Sequence, residues 1–183
     1  MSHVPLVEPA SASGTVKDHL DQINGAFGVV PAMFRTVANS PAALQSMWGS
    51  FGALGGGTIG AALGEQIAVA IANRNACTYC LSAHTVLGQK AGVSKEAMQA
   101  AQTGDSDDPR TQAILAFALK VVEERGQVTG DDVQALRDHG VSDEEIVEII
   151  GHVALNLFTN YINVALDVPV DFPVIPFRER VAA

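Results

Sequence analysis

The 183-residue sequence predicts an all-α protein. Three observations carry that expectation. No stretch sustains the apolar/polar alternation of a half-buried strand. Prolines and capping residues recur at the starts of apolar segments, as in "NSPAAL" and "SDEE", and glycines recur at their ends. The composition is 48% hydrophobic but only 5% aromatic, which suits helices packed through Ala, Leu, Val and Ile and leaves a surplus that subunit contacts could bury.

Taken in order, residues 1–13 are small, polar and proline-containing and read as a mobile arm. Residues 14–183 read as one domain, long enough for a single core. A first helix is expected from Val16 to Ala26, and a second from Pro31 to Val37. A third follows Ser40 with proline in its first turn and ends at "GGG", 55–57. Gly60–Asn73 is apolar nearly all the way round, the pattern of a helix buried on every side, and Glu65 is its only carboxylate. Residues 76–91 form the next helix, closed by Gly92, and Ser94 caps a short one. Pro109–Gly126, Thr129–His139 and Ser142–Asp167 complete the set, the last opening with a capping box between Ser142 and Glu145.

Composition also excludes partners. Twenty acidic residues against 11 basic give a net charge of −9, with no Lys/Arg cluster, so nucleic acid would be repelled. The N-terminus lacks the basic start and apolar run of a secretory signal, and no segment reaches the roughly 18 apolar residues of a membrane span. A cytoplasmic protein is expected, and in a reducing compartment two cysteines three apart are seldom a permanent staple.

"GGGTIG", Gly55–Gly60, matches the dinucleotide fingerprint only formally. Helix precedes it and no βαβ unit follows, so a loop between helices is the better reading. "NACTYCLSAH" holds both cysteines of the chain. On a helix starting near Ala76, Cys77, Cys80 and His84 share one face, with Thr78, Ser82, Thr85 and Gln89 opposite. Side-chain direction brings His84 toward Cys80, whereas the helix dipole favours a thiolate at Cys77. Two helical cysteines one turn apart must tighten that turn to bond, so their disulfide should be easily reduced. Zinc is the rival, with Glu65 as a fourth ligand, but a second Cys or His doublet is missing. A merely packed Cys/His face is the third reading.

Glu65 on so apolar a helix needs a partner, a task or an outlet to water. His152, Asn156, Asn160 and Asn163 form a polar stripe on the last helix, read first as hydrogen bonding between helices or subunits and second as a pocket wall. His3, His19 and His139 carry no signal.

Glu65 is followed twelve positions on by Cys77, three further by Cys80 and four further by His84, within "GEQIAVAIANRNACTYCLSAHTVLGQKAG". With "VPAMFRTVANSPAAL" and "EIIGHVALNLFTNYINVALDVPVDFP" as flanks, the sequence resembles the AhpD-like branch of the carboxymuconolactone decarboxylase superfamily. The resemblance implies an all-helical homo-oligomer, trimeric or hexameric. It also implies a cysteine pair that reduces a hydroperoxide and is recycled by a dithiol, lipoyl or thioredoxin-like, without metal or organic cofactor. Glu65, Cys77, Cys80 and His84 match the family's proton relay and redox centre. Tyr79 departs from it, standing where the best-known alkylhydroperoxidases carry histidine. The decarboxylases that name the superfamily lack the cysteine pair. Outside catalysis, the same residues would suit a thiol redox sensor or a structural zinc site in an oligomeric protein.

Overall fold

The computed structural model describes residues 2–179. Met1, at the start of the expected arm, and residues 180–183, at the end of the expected domain, lie outside the described residues. A 3-10 turn at Pro9–Ser11 precedes nine α-helices among the described residues. They are α1 Gly14–Phe27, α2 Ala32–Val37, α3 Pro41–Gly55, α4 Gly60–Arg74, α5 Thr78–Lys90, α6 Lys95–Ala101, α7 Pro109–Glu123, α8 Gly130–Asp138 and α9 Asp143–Ala165. No strand occurs among these residues, as the patterning predicts. None of the described helices is long and apolar enough to cross a membrane.

The helix starts follow from local chemistry. The side chains of Ser40, Ser94, Asp108, Thr129 and Ser142 each accept the backbone N–H three residues on. Each such cap stabilises its helix by about 1 kcal/mol. The Ser142–Glu145 box forms as expected, and Glu145 also receives the Arg110 guanidinium at 2.5 Å, tying α9 to α7.

α4 is the axis of the core and packs on α5, α6, α7 and α9. Its residues 67–72 are all buried, in line with a helix apolar on every side, whereas 60–62 in its first turn are exposed. The "GGG" run closes α3 at Gly55 and opens the loop to α4, which admits an acid supplied by the chain itself. Thr58 and Ile59 donate their backbone N–H groups to the Glu148 carboxylate of α9 at 2.8 and 3.0 Å. A Cβ on Gly57 would lie 2.6 Å from that carboxylate, which is why glycine is needed there. Gly88 does the same for helix packing: a Cβ would strike Met98 and crowd the Cβ of Glu65, so its absence lets α5 close onto α4.

The segment read as an arm is in contact with the body over residues 2–12. His3 N donates to Leu166 O, Val7 N to Arg35 O and Arg35 Nε to Val7 O, while Leu6 and Val7 pack on the core. Two apolar side chains inside a polar stretch are too weak a pattern to announce docking from sequence. The face of α5 opposite the cysteines is covered as well: Ser82 and Thr85 are buried. The chain after α9 crosses that face, with Ile175 N donating to Ser82 Oγ at 3.1 Å and Arg178 paired with the Asn73 amide. Thr85 Oγ1 satisfies itself on Leu81 O.

Candidate active site

The turn between α4 and α5 places the first cysteine. Cys77 N donates to Ala72 O at 2.9 Å, and Ala76 adopts φ 52°, the left-handed conformation usually left to glycine. For alanine this costs roughly 1 to 2 kcal/mol. The left-handed residue delays the helix, so Cys77 is not in the first turn of α5 as the sequence suggested but is its N-cap, with extended backbone. Its Sγ fills the place of a capping oxygen and accepts the N–H of Cys80 at 3.4 Å. The pair is therefore one cap and one helical residue, and the strain expected of two helical cysteines does not carry over. Both thiols are free, and they are 1% and 2% exposed.

Charge divides unevenly between them. The Cys80 thiol donates to the Cys77 sulfur, and with the backbone N–H groups there and the nearby His84 charge this holds the Cys77 thiol below the ordinary cysteine range, against the effect of burial. Cys80 moves the other way, pushed well up by giving its proton to Cys77, by burial and by the Cys77 charge. Asn163 of α9 opposes that rise: its Nδ2 donates to Cys80 Sγ at 3.1 Å.

His84 meets Glu65 across the α4/α5 contact, Nδ1 to Oε2, at 2.7 Å. The carboxylate that looked costly on an apolar helix thus has its partner. Burial would lower the His84 pKa, but the Glu65 charge and hydrogen bond outweigh it, and the imidazole stands above an ordinary histidine. The bond to Glu65 leaves Nε2 uncommitted by that contact.

Tyr79 points elsewhere. Its hydroxyl donates to Asp171 Oδ2 at 2.8 Å and accepts Met33 N at 3.3 Å, while Ala32 N donates to the same carboxylate oxygen at 2.6 Å. Its ring meets Phe172 edge-on at 5.7 Å. Burial and the Asp171 carboxylate push the phenol far above its usual pKa, so Tyr79 does not titrate near neutrality.

Two cavities flank His84. The larger, about 280 Å³, has aromatic walls at Phe27, Trp48 and Phe51, a small-residue wall at Ala61 and Gly64, and polar groups from Glu65, His84, His152 and Asn156. The smaller, about 40 Å³, is apolar, and Cys80 is in its wall while Cys77 is not. Phe27, Phe51 and His84 border both.

The polar stripe of α9 therefore divides. Asn163 holds Cys80, and Asn160 accepts from Asn75 Nδ2 at 3.1 Å, both acting between helices. His152 and Asn156 line the larger cavity, the reading given second place from sequence. Asp171 and Ser82 carried no specific signal, because their partners are 92 and 93 residues away. The four residues singled out by spacing sit in one region, but not as a ligand set: among the described residues no group of three or more His, Cys, Asp or Glu is placed to hold a metal ion.

The description of the carboxymuconolactone decarboxylase family matches residues 41–124, which include the cysteine pair, Glu65 and His84. An uncharacterized peroxidase-related protein from Ralstonia eutropha, described as an alkylhydroperoxidase AhpD core, superposes with a TM-score of 0.83 at 27% identity, over 93% of this chain and 92% of that one. Over residues 41–124 the chain is similar to the carboxymuconolactone decarboxylase family, and over nearly its whole length to the AhpD-like fold. Two further solved structures share the fold. A peroxidase-related protein from Silicibacter sp. has a TM-score of 0.81 at 20% identity, over 92% of this chain and 91% of that one. The debrominase Bmp8, as a cysteine-to-alanine variant in complex with 2,3,4-tribromopyrrole, has a TM-score of 0.77 at 22% identity, over 93% and 94%. At those identities the likeness is one of fold. No curated protein matches the chain by sequence.

Proposed function

We propose that the protein is a thiol-dependent hydroperoxide reductase. The observation that carries this reading is the Glu65–His84 pair standing beside two free cysteines, with Cys80 in the wall of a cavity that His84 also borders. The resting charge favours Cys77 and access favours Cys80, and the two roles are complementary. The Cys77 thiolate takes the Cys80 proton as the Cys80 sulfur, steadied by Asn163, attacks the terminal peroxide oxygen. An S–O bond forms, the O–O bond breaks, and the departing alkoxide takes a proton from the His84 imidazolium, which Glu65 keeps charged. The sulfenic acid on Cys80 is then displaced by the Cys77 sulfur, releasing water and leaving a disulfide. An external dithiol, lipoyl or thioredoxin-like, supplies two electrons and two protons to reopen it.

The test is turnover. With excess dithiol, wild-type protein should consume many equivalents of hydroperoxide per subunit. Consumption that stops at one equivalent supports a redox sensor instead and removes the enzymatic reading.

The apolar surplus has a place as well. Val147, Ile150, Tyr161 and Val164 of α9 are exposed, 70% for Val147 and 57% for Tyr161. With Ala154 and Leu157 they fall at alternating intervals of three and four residues, a stripe that suits another helix. It supports a homo-oligomer, trimer or hexamer, and light scattering at micromolar concentration should give a mass well above the 19.1 kDa of one chain.

A further inference from the structure

The redox step uses only the smaller cavity. Its 40 Å³ is close to the roughly 30 Å³ share of one water molecule, room for a peroxide group and little more. The larger cavity, at 280 Å³, approaches the lower end of small-molecule sites, about 300 Å³. Phe27, Phe51 and His84 border both, so the two spaces are neighbours across the His84 ring.

The larger cavity also has a polar group with no employment in the fold. His152 lines it, and its Nε2 is buried without a hydrogen-bond partner. Burial lowers its pKa, with Glu148 and Glu65 pulling the other way and the His84 charge adding to the fall, so the ring is a neutral donor and acceptor. Such an orphan in a natural protein calls for a reason. Gly64 adjoins that ring, where a Cβ would come 3.2 Å from it. A lining of aromatic and small residues suits a flat, compact ring, because ring edges and faces pack favourably on Phe and Trp.

We propose that the larger cavity seats the carbon body of a compact aromatic hydroperoxide, and that His152 is the specificity-determining residue that hydrogen-bonds the substrate there while its peroxide group reaches Cys80. This rests on the peroxidase reading for the chemistry, but not for the binding. The chain's single tryptophan, Trp48, is in the cavity wall and reports occupancy directly.

The experiment is a titration of Trp48 fluorescence with 2-phenyl-2-propanol, the alcohol left by cumene hydroperoxide, joined to the ratio of kcat/KM for cumene hydroperoxide over hydrogen peroxide. Wild type should give a saturable fluorescence change. His152→Leu should weaken binding and lower the ratio about tenfold, mainly through KM for the aromatic substrate, the loss expected of one hydrogen bond. His152→Gln, which can still donate and accept, should recover part of it. Ala61→Leu, at an exposed position on the rim, should obstruct the cavity without disturbing the core and weaken binding too. The seat is overturned if Trp48 does not respond up to millimolar alcohol, or if binding and ratio in His152→Leu and Ala61→Leu match wild type. If no hydroperoxide is turned over but the alcohol binds and His152→Leu weakens it, the redox reading fails and the seat stands.

Discussion

Two hydrogen-bonded acid pairs flank the cysteines, and on distance alone they look alike: Tyr79 with Asp171 at 2.8 Å, and His84 with Glu65 at 2.7 Å. They differ in what is left over. Around Tyr79 the bonds close on themselves, since its hydroxyl also takes Met33 N and the carboxylate also takes Ala32 N. The phenol's pKa is driven out of reach. Around His84 one ring nitrogen is committed to Glu65 and the ring borders two cavities, with a pKa moved up from an ordinary histidine. A short bond in a polar cluster is thus no sign of chemistry. Uncommitted valence beside open space, on a group whose pKa its neighbours shift, is the better one.

The strongest way to break this comparison is at the sulfur between the pairs. Cys80→Ser should lower peroxide turnover by at least about a hundredfold, since it removes the attacking atom. Cys77→Ser should still react once and accumulate a sulfenic acid on Cys80 that a dimedone-type reagent labels. Labelling of Cys77 in the Cys80→Ser protein, with none on Cys80 in the reciprocal variant, would reverse the two roles.

Next in size is Glu65→Gln. The proton-transfer contribution should fall by about 10²-fold, the lower end for general acid–base groups. The pH profile gives the sign. Glu65 raises the His84 pKa, so the acid form survives to higher pH in wild type, and the alkaline limb of kcat should move to lower pH in the variant. The same linkage acts on stability: the His84 pair contributes fully below the ordinary histidine pKa and is lost as pH rises through the raised one. Glu65→Gln should therefore lose more stability at pH 6 than at pH 9 in urea titrations. An unmoved limb would leave Glu65 without a role in the relay.

Tyr79→Phe should do the reverse, touching stability more than rate. Met33 N loses its partner in a buried place, at a cost of about 1 to 3 kcal/mol, while the exposed Asp171 keeps Ala32 N. The melting temperature should drop by several degrees while kcat stays within about threefold of wild type. A large fall in kcat with unchanged stability would make Tyr79 part of the chemistry and erase the contrast.

The smallest effect is expected at Ala76. Glycine there relieves the left-handed conformation but gains freedom in the unfolded chain, two effects of about 1 kcal/mol each that largely cancel. Ala76→Gly should shift denaturant stability by less than about 1 kcal/mol and leave the thiol titration in place.

Much of the molecule was legible in the residues. Helix starts could be read because a cap and its amide are three residues apart, and the buried half of α4 because an apolar run needs no knowledge of its partner. The grouping of Cys77, Cys80 and His84 followed from helical spacing, and Glu65 followed from the oddity of one carboxylate among Ala, Val and Ile. Local rules failed where a neighbour in space outweighed them. Cys77 became a cap because Ala76 turned left-handed. Ser82 and Tyr79 were buried by a segment some 90 residues on, and His152 and Asn156 became cavity walls while Asn160 and Asn163 on the same helix became ties.

What the sequence by itself determined is the set of helices and the candidates for chemistry, because propensity, capping and periodicity act within a few residues. Only the tertiary structure decided which carboxylate faces His84, which thiol is the more acidic and which meets a cavity. Those properties depend on electrostatics and empty space, which arise between helices and have no local pattern. Three residues along one helix, Tyr79, Cys80 and His84, accordingly have three different environments.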